Sequence, residues 1–415
     1  MTAAAKPYEG GNMHQHANIK KAIQLSNSFW DITTQAGMAN IVTRNLGDGR
    51  HEAVANGRRF VNMSSYSYLG LDSHPDILQA AADAVLNTGS LNTSISRIRV
   101  QFDILQQAED ALAELVDAET LTVPSCAAAA AAALPLLASG ALTEDVPPLM
   151  VFDKNAHFCL NMMKPICADE AEIHTIRHND LNALEDLCKT HARVAYVADG
   201  VYSTGGMAPV PELLALQDKY GLFLFFDEAH GLSTLGRHGR GLVLETMGGI
   251  NERTLIVTSL NKGFGASGGA IFLGPRHDAE RRKLATRFGG PVTWSQRINT
   301  AGLGAIIQSA AIHRSEELPR LQQRLQDNIR LFDQHVASDN SGEPLPIRFV
   351  SIGSEENTIF YAKSLLEDGF YTSPIFFPVI AKGRAGLRIM IRANMTTQEI
   401  ERFAACLNQL RAAHE

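Results

Sequence analysis

The stretch TSLNKGFGASGG, residues 258–269, decides how this chain is read. Its GFGASG segment matches the G-x-G-x-x-G fingerprint of a dinucleotide-binding loop, with Lys262 directly in front of it. A nucleotide loop requires a helix to open at the glycines, so that a pyrophosphate rests on its N-terminus, and an acidic residue roughly 20 positions later. The flanks deny this. TLIVTS before the loop and GAIFLGP after it are short apolar runs, the second stopped by Gly-Pro, so the glycines join two strands. The match also lies late in the chain, whereas the fingerprint opens its domain. A Walker-type phosphate loop carries its lysine after the glycines with Ser or Thr next, but Lys262 precedes them and Gly263 follows. What remains is a loop built around Lys262. It holds either an exposed lysine, the commoner fate, or a buried amine used for chemistry, with glycines that let something large approach the backbone.

Working outward, residues 75 to 290 alternate helical stretches such as HPDILQAAADAVL and ILQQAEDALAELV with the apolar runs PLMVF, VAYVA, LFLFF and LIVTS. Strands apolar on both faces and separated by helices predict a mostly parallel sheet covered on both sides, an α/β fold. Ahead of it, residues 14 to 45 read as a helix, and HEAVANGRRFVNMSS as a hairpin whose Asn56-Gly57 turn supplies positive φ angles. Behind it come a long helical region from about 300, a polar loop SDNSGEPLP, and a small α+β unit containing IRFVSIG, GLRIMIRA and a closing helix TTQEIERFAACLNQLRAA. The expected division is an N-terminal arm over 1–60, a large domain over 61–296 and a small domain over 297–415.

The chain of 415 residues is long enough for such a two-domain body, with 45% hydrophobic and 20% charged residues. A net charge of −7 leaves no basic footprint, so no nucleic acid partner is expected. No apolar run is long enough to span a bilayer, and the N-terminus has no secretory core, which predicts a cytoplasmic protein. Five cysteines, in no metal-binding spacing, predict reduced packing residues and no metal site.

Several strand-like runs end in polar groups: LMVFDKNAH (149–157), VAYVADGVYST (194–204) and LFLFFDEAH (222–230). Beyond the carboxyl ends of parallel strands, Asp153, Asp199, Asp227, His157, His230 and Lys262 would converge on one crevice. Singly, each aspartate is better explained as a helix cap. Together they suit pyridoxal 5'-phosphate, which uses a lysine for a Schiff base, a carboxylate on its ring nitrogen, an aromatic cover and a phosphate cradle. Asp227, at the end of LFLFF, suits the nitrogen, and His157 the ring face. The cradle falls at VPSCAAAAAAALPLL, where Ser125 caps a helix whose first N–H groups belong to Cys126 and Ala127, with Ser259 as a second phosphate donor.

These segments, with FVNMSSYSYLGLDSHPDI, SISRIRVQ, ADGVYSTGGMAPVPEL, FFDEAHGLSTLGRHGRG and GLRIMIRANMTTQEI, resemble the α-oxoamine synthase family, within the fold type I group of pyridoxal-phosphate enzymes. The resemblance covers about residues 50 to 410, in family order. It implies catalytic roles for Lys262, His157, Asp227 and His230. It places Ser203 and His230 at the phenolic oxygen of the cofactor and Arg388 on the amino-acid carboxylate. It also implies a homodimer with the site at the subunit interface, Ser295 reaching the neighbour's phosphate. The reaction it implies is a decarboxylative condensation of an amino acid with an acyl thioester, on CoA or a carrier protein, giving an α-amino ketone, CO2 and a free thiol. An aminotransferase or decarboxylase on the same fold is the alternative; neither consumes a thioester.

The sequence departs from the family pattern at three places. Cys126 to Ala130 replace the usual Gly-aromatic-x-Ala-Asn of the phosphate helix, Tyr66 stands at the asparagine of SSNDYLG, and Gln101 stands where a glycine follows SRxxx. The last feature is similar to the branch that makes α-amino-ketone signals. Because these changes fall where acyl chain and amino acid are read, Tyr66 is expected at the substrate, in a specialised metabolite or signal pathway rather than a heme, biotin or sphingolipid route.

Overall fold

The structure, a computed structural model, describes residues 19–414. A helix, Ile19–Gln35, opens it, followed by β1 (Thr43–Gly47), β2 (Arg50–Ala53) and β3 (Arg59–Asn62), an antiparallel ribbon. The expected helix over 14–45 is corrected here. Its described part ends at Gln35, and the end of that span is β1; residues 14–18 lie outside the described residues. The β2–β3 hairpin forms as read, but through a longer loop in which Gly57 alone takes positive φ, at 68°. The Asn56 side chain instead accepts from Arg58 N at 3.0 Å, which shapes the turn without a left-handed asparagine.

The central sheet holds β4 (Thr120–Val123), β5 (Leu149–Asp153), β6 (Ile173–Ile176), β7 (Val194–Asp199), β8 (Phe223–Asp227), β9 (Thr254–Ser259) and β10 (Gly269–Phe272), in the order β4-β10-β9-β8-β7-β5-β6. The strands β5 to β9 pair in parallel, while β10 runs antiparallel to both β9 and β4. Every residue of β5, β7, β8, β9 and β10 is buried, as expected of a sheet packed on both faces. Two apolar layers result. Phe226, Ile256 and Phe272 point into one, and Phe225, Val257 and Ile271 into the other, where they meet the alanine-rich helix Cys126–Ala138. The alanine run is thus a buried helix whose small side chains seat it against the sheet.

The C-terminal part has β11 (Ile347–Gly353), β12 (Phe370–Tyr371), β13 (Ser373–Ile375) and β14 (Ala385–Met390). β11, β14 and β13 form an antiparallel sheet, while β12 adds in parallel to β3 of the N-terminal ribbon. The two ends of the chain therefore share one core: Met63, Tyr68 and Leu71 pack in the same cluster as Leu387, Met390 and Phe403. The region after 300 is two helices, Thr300–His313 and Glu317–His335. The first lies against Pro75–Thr88 so tightly that a Cβ on Gly304 would meet Ala80 O at 2.4 Å.

The loop between β9 and β10 is the strand-to-strand connection read from its flanks, but its glycines serve a different end. A Cβ on Gly265 would strike Leu71 at 2.3 Å, on Gly268 Ile298 at 2.4 Å, and on Gly269 the Cys126 nitrogen at 2.6 Å. They make room for other segments of the chain, which lock the Lys262 loop against the start of the alanine-rich helix.

Candidate active site

The carboxyl ends of the parallel strands deliver the expected groups. Asp199 and Asp227 sit side by side in register on β7 and β8, both buried. Burial and the charge of Asp227 push the Asp199 carboxyl well above its usual range, and Asp199 accepts from His157 N at 2.9 Å. Asp153 does not join them. Its carboxylate is filled by Asn155 N, Asn179 N, Tyr196 Oη and His178, so it holds the loops after β5 and β6.

Asp227 has Oδ1 taken by Ala229 N at 2.8 Å, while Oδ2 meets only two thiols, Cys159 at 3.3 Å and Cys126 at 3.4 Å. A buried carboxylate that forms no ion pair among the described residues is suited to a protonated ring nitrogen. His157 caps the short helix Phe158–Asn161 and contacts Cys159 Sγ at 3.0 Å, which raises its pKa above the ordinary histidine value. The residue as a whole is exposed in the single chain.

Lys262 reaches back to His230, Nζ to Nε2 being 2.9 Å, and burial lowers its amine pKa below the ordinary lysine value. The other ring nitrogen of His230 meets Tyr68 Oη at 2.6 Å. Burial, reinforced by Lys262 and Arg388, holds His230 well below the usual imidazole range, so the ring is neutral. It has one proton to share between two partners. Tyr68 is fully buried, and its signal in the sequence is a phenol beside apolar residues in SYLGL, whose hydroxyl needs a partner.

Tyr66 stands between the basic groups. Lys262 Nζ lies 5.3 Å and the Arg388 guanidinium 5.4 Å from its ring centre, and its ring meets that of His230 edge-on at 5.8 Å. Arg388 donates to the Tyr66 hydroxyl and, at 3.4 Å, to the Ser203 carbonyl, while its buried Nε has no partner. Ser203 thus enters the site through its backbone. Ser125 accepts from Ala128 N at 3.1 Å, which leaves the Cys126 and Ala127 N–H groups without intrahelical acceptors. The Ser259 hydroxyl is bonded to Asn261. Ser295 is exposed and meets only the neighbouring Gln296 carbonyl, at 3.4 Å. Arg97, in SISRIRVQ, is spent on the buried Glu109, both carboxylate oxygens at 2.9 Å. A recess of about 400 Å³ lined by Gln217, Asn251 and Arg253 lies by the opposite ends of β8 and β9, away from these groups.

The profile of the family "Aminotransferase class I and II" matches residues 58–407. The chain is 29% identical over 368 residues to the 8-amino-7-oxononanoate synthase of Alkaliphilus metalliredigens, covering 86% of this chain and 89% of that one. It is 27% identical over 405 residues to the enzyme of the same name from Treponema denticola, covering 94% and 96%. Among solved structures, the serine palmitoyltransferase of Sphingomonas wittichii superposes with a TM-score of 0.83 at 21% identity, covering 95% of this chain and 98% of that one.

Proposed function

The chain belongs to the aminotransferase class I and II family, and from that premise we propose that it is a pyridoxal 5'-phosphate-dependent acyltransferase. It condenses an amino acid with an acyl thioester, on CoA or a carrier protein, and releases CO2, free thiol and an α-amino ketone. The observation that carries this reading is the approach of Lys262 Nζ and the Arg388 guanidinium to one ring, Tyr66, at 5.3 and 5.4 Å. A base and a carboxylate clamp that approach the same side chain suit the α-carbon and carboxylate of one amino acid.

When bound, the cofactor supplies a cationic conjugated ring that accepts the electron pair released at the α-carbon. The residues fit it: Asp227 offers Oδ2 to the ring nitrogen, and Cys126 and Ala127 offer N–H groups to the phosphate behind the Ser125 cap. His157 offers its ring face, and Ser203 and Ser259 line the approach. Lys262 would hold the cofactor, and as general base its Nζ would take the α-proton, a role its lowered pKa favours. His230 orients that amine through Nε2, with Tyr68 fixing the ring from Nδ1. Arg388 spends its free donors on the substrate carboxylate. The active unit is a homodimer in which Ser295 of one copy serves the phosphate site of the other.

A cytoplasmic setting fits the five free cysteines, and among the described residues no helix is long and apolar enough to cross a membrane. Purified protein offered a matrix of amino acids against acyl thioesters is expected to release thiol and CO2 together, with an amino ketone of matching mass. Lys262→Ala is expected to abolish this. Wild-type turnover in that variant, or amino-group exchange without thiol release, overturns the reading.

A further inference from the structure

The spacing of cysteines along the chain gives no metal motif, yet the fold brings two of them to one carboxylate. Cys126 Sγ and Cys159 Sγ lie 3.4 and 3.3 Å from Asp227 Oδ2, and the three atoms lie within 4.8 Å of one another. Zinc-to-ligand bonds of about 2.0 to 2.3 Å in a tetrahedron set ligand atoms roughly 3.3 to 3.8 Å apart, so this trio spans a tetrahedral face with little movement. A fourth donor is adjacent, His157 Nδ1 at 3.0 Å from Cys159 Sγ. Asp227 and Cys159 are buried and Cys126 is half-buried. The ligands come from three separate elements: the end of β8, the short helix Phe158–Asn161 and the start of Cys126–Ala138. The proposed reaction uses Cys126 through its backbone alone and Cys159 not at all, so both thiols are free for another purpose. Thiolates select a thiophilic ion over magnesium or calcium.

We infer that the cofactor-free chain binds one thiophilic divalent cation of the zinc class through Cys126 Sγ, Cys159 Sγ and Asp227 Oδ2, with His157 Nδ1 or water completing the shell. Both thiols give up their protons to solvent as the two metal–sulfur bonds form. Because Asp227 Oδ2 is then committed, ion and cofactor exclude each other; this last point rests on the reading that Asp227 serves the ring nitrogen. The site is a loading checkpoint, metal-filled or cofactor-filled.

The test uses full-length protein stripped of cofactor and titrated with Zn2+, and with Cd2+ as an absorbing probe. One ion per protomer is expected, with an X-ray absorption spectrum containing two sulfur scatterers at about 2.3 Å. Cys126→Ser and Cys159→Ser are each expected to weaken binding at least tenfold, while Cys167→Ser, buried apart from the site, leaves it unchanged. A spectrum with only nitrogen and oxygen scatterers overturns the inference on the wild-type protein alone, whatever the variants do. So does wild-type affinity in both serine variants. Added pyridoxal 5'-phosphate is expected to displace the ion. Ion and cofactor bound together overturns the exclusion and the role of Asp227, and leaves the metal site standing.

Discussion

Arg388 and Tyr68 separate what could be read residue by residue from what could not. The arginine is legible through the family resemblance and because GLRIMI sets a charged side chain among apolar neighbours, where a surface role is less expected. The tyrosine was not, since its partner His230 is 162 positions away and the pair meets only through the fold. Arg388→Lys keeps the charge but loses the fork, and with it about 1.5 to 3 kcal/mol of charged hydrogen bonding. The Michaelis constant for the amino acid is expected to rise about 10- to 100-fold, with a smaller change in kcat and none in that for the thioester, measured by varying each substrate in turn. Tyr68→Phe strands a buried ring nitrogen, and kcat is expected to fall about tenfold, on the scale of one buried hydrogen bond. Cofactor affinity, read by titration of its visible absorbance, is expected to hold.

At the scale of elements, the strand-loop-strand unit around Lys262 was legible from its flanks, while the use of its glycines was not, because Leu71, Ile298 and Cys126 lie far off in sequence. The DEAH segment holds a similar surprise. Glu228 is buried, and added Cβ atoms on Gly200, Gly231 and Gly241 would come within 1.7, 2.5 and 2.0 Å of its carboxyl oxygens. Those oxygens face the N–H groups at Leu242 and Val243 without closing full hydrogen bonds. Burial pushes the group from 4.5 up to about 8. The folded chain therefore holds a proton that the unfolded chain has lost, and this contribution to stability falls as pH rises from 4.5 to about 8, then levels off. Glu228→Gln keeps the shape and removes the charge. Urea unfolding is expected to show the variant gaining on the wild type by up to a few kcal/mol between about pH 5 and about pH 9, with little difference at the acid end.

For the whole molecule, the order of segments predicted a large parallel sheet followed by a smaller unit, and the sheet is there. That the N-terminal ribbon closes onto the C-terminal strands is not legible in the sequence, because two-residue β12 is too short to leave a pattern and its pairing with β3 is long-range. One surface remains to be covered. Trp294 is 77%, Phe158 69% and Phe288 66% exposed, and Leu91, Ile95, Ile98 and Val100 are also exposed. The segments carrying them are tied together, Ser96 Oγ to Thr293 O at 2.8 Å and Thr300 N to Leu91 O at 3.0 Å. Exposed apolar side chains on segments tied together in this way, with Trp294 and Phe158 next in sequence to exposed Ser295 and His157, suit a face built for association. In the proposed homodimer, a second copy seated there would bring Ser295 toward the phosphate cradle and cover His157. Trp294→Asp places a charge in the centre of that contact, where an unpaired buried carboxylate is costly. It is expected to sediment as a monomer at concentrations where the wild type is a dimer, and to bind cofactor at least tenfold more weakly. A variant that stays dimeric with wild-type cofactor affinity would put the subunit contact elsewhere on the surface and remove Ser295 from the site.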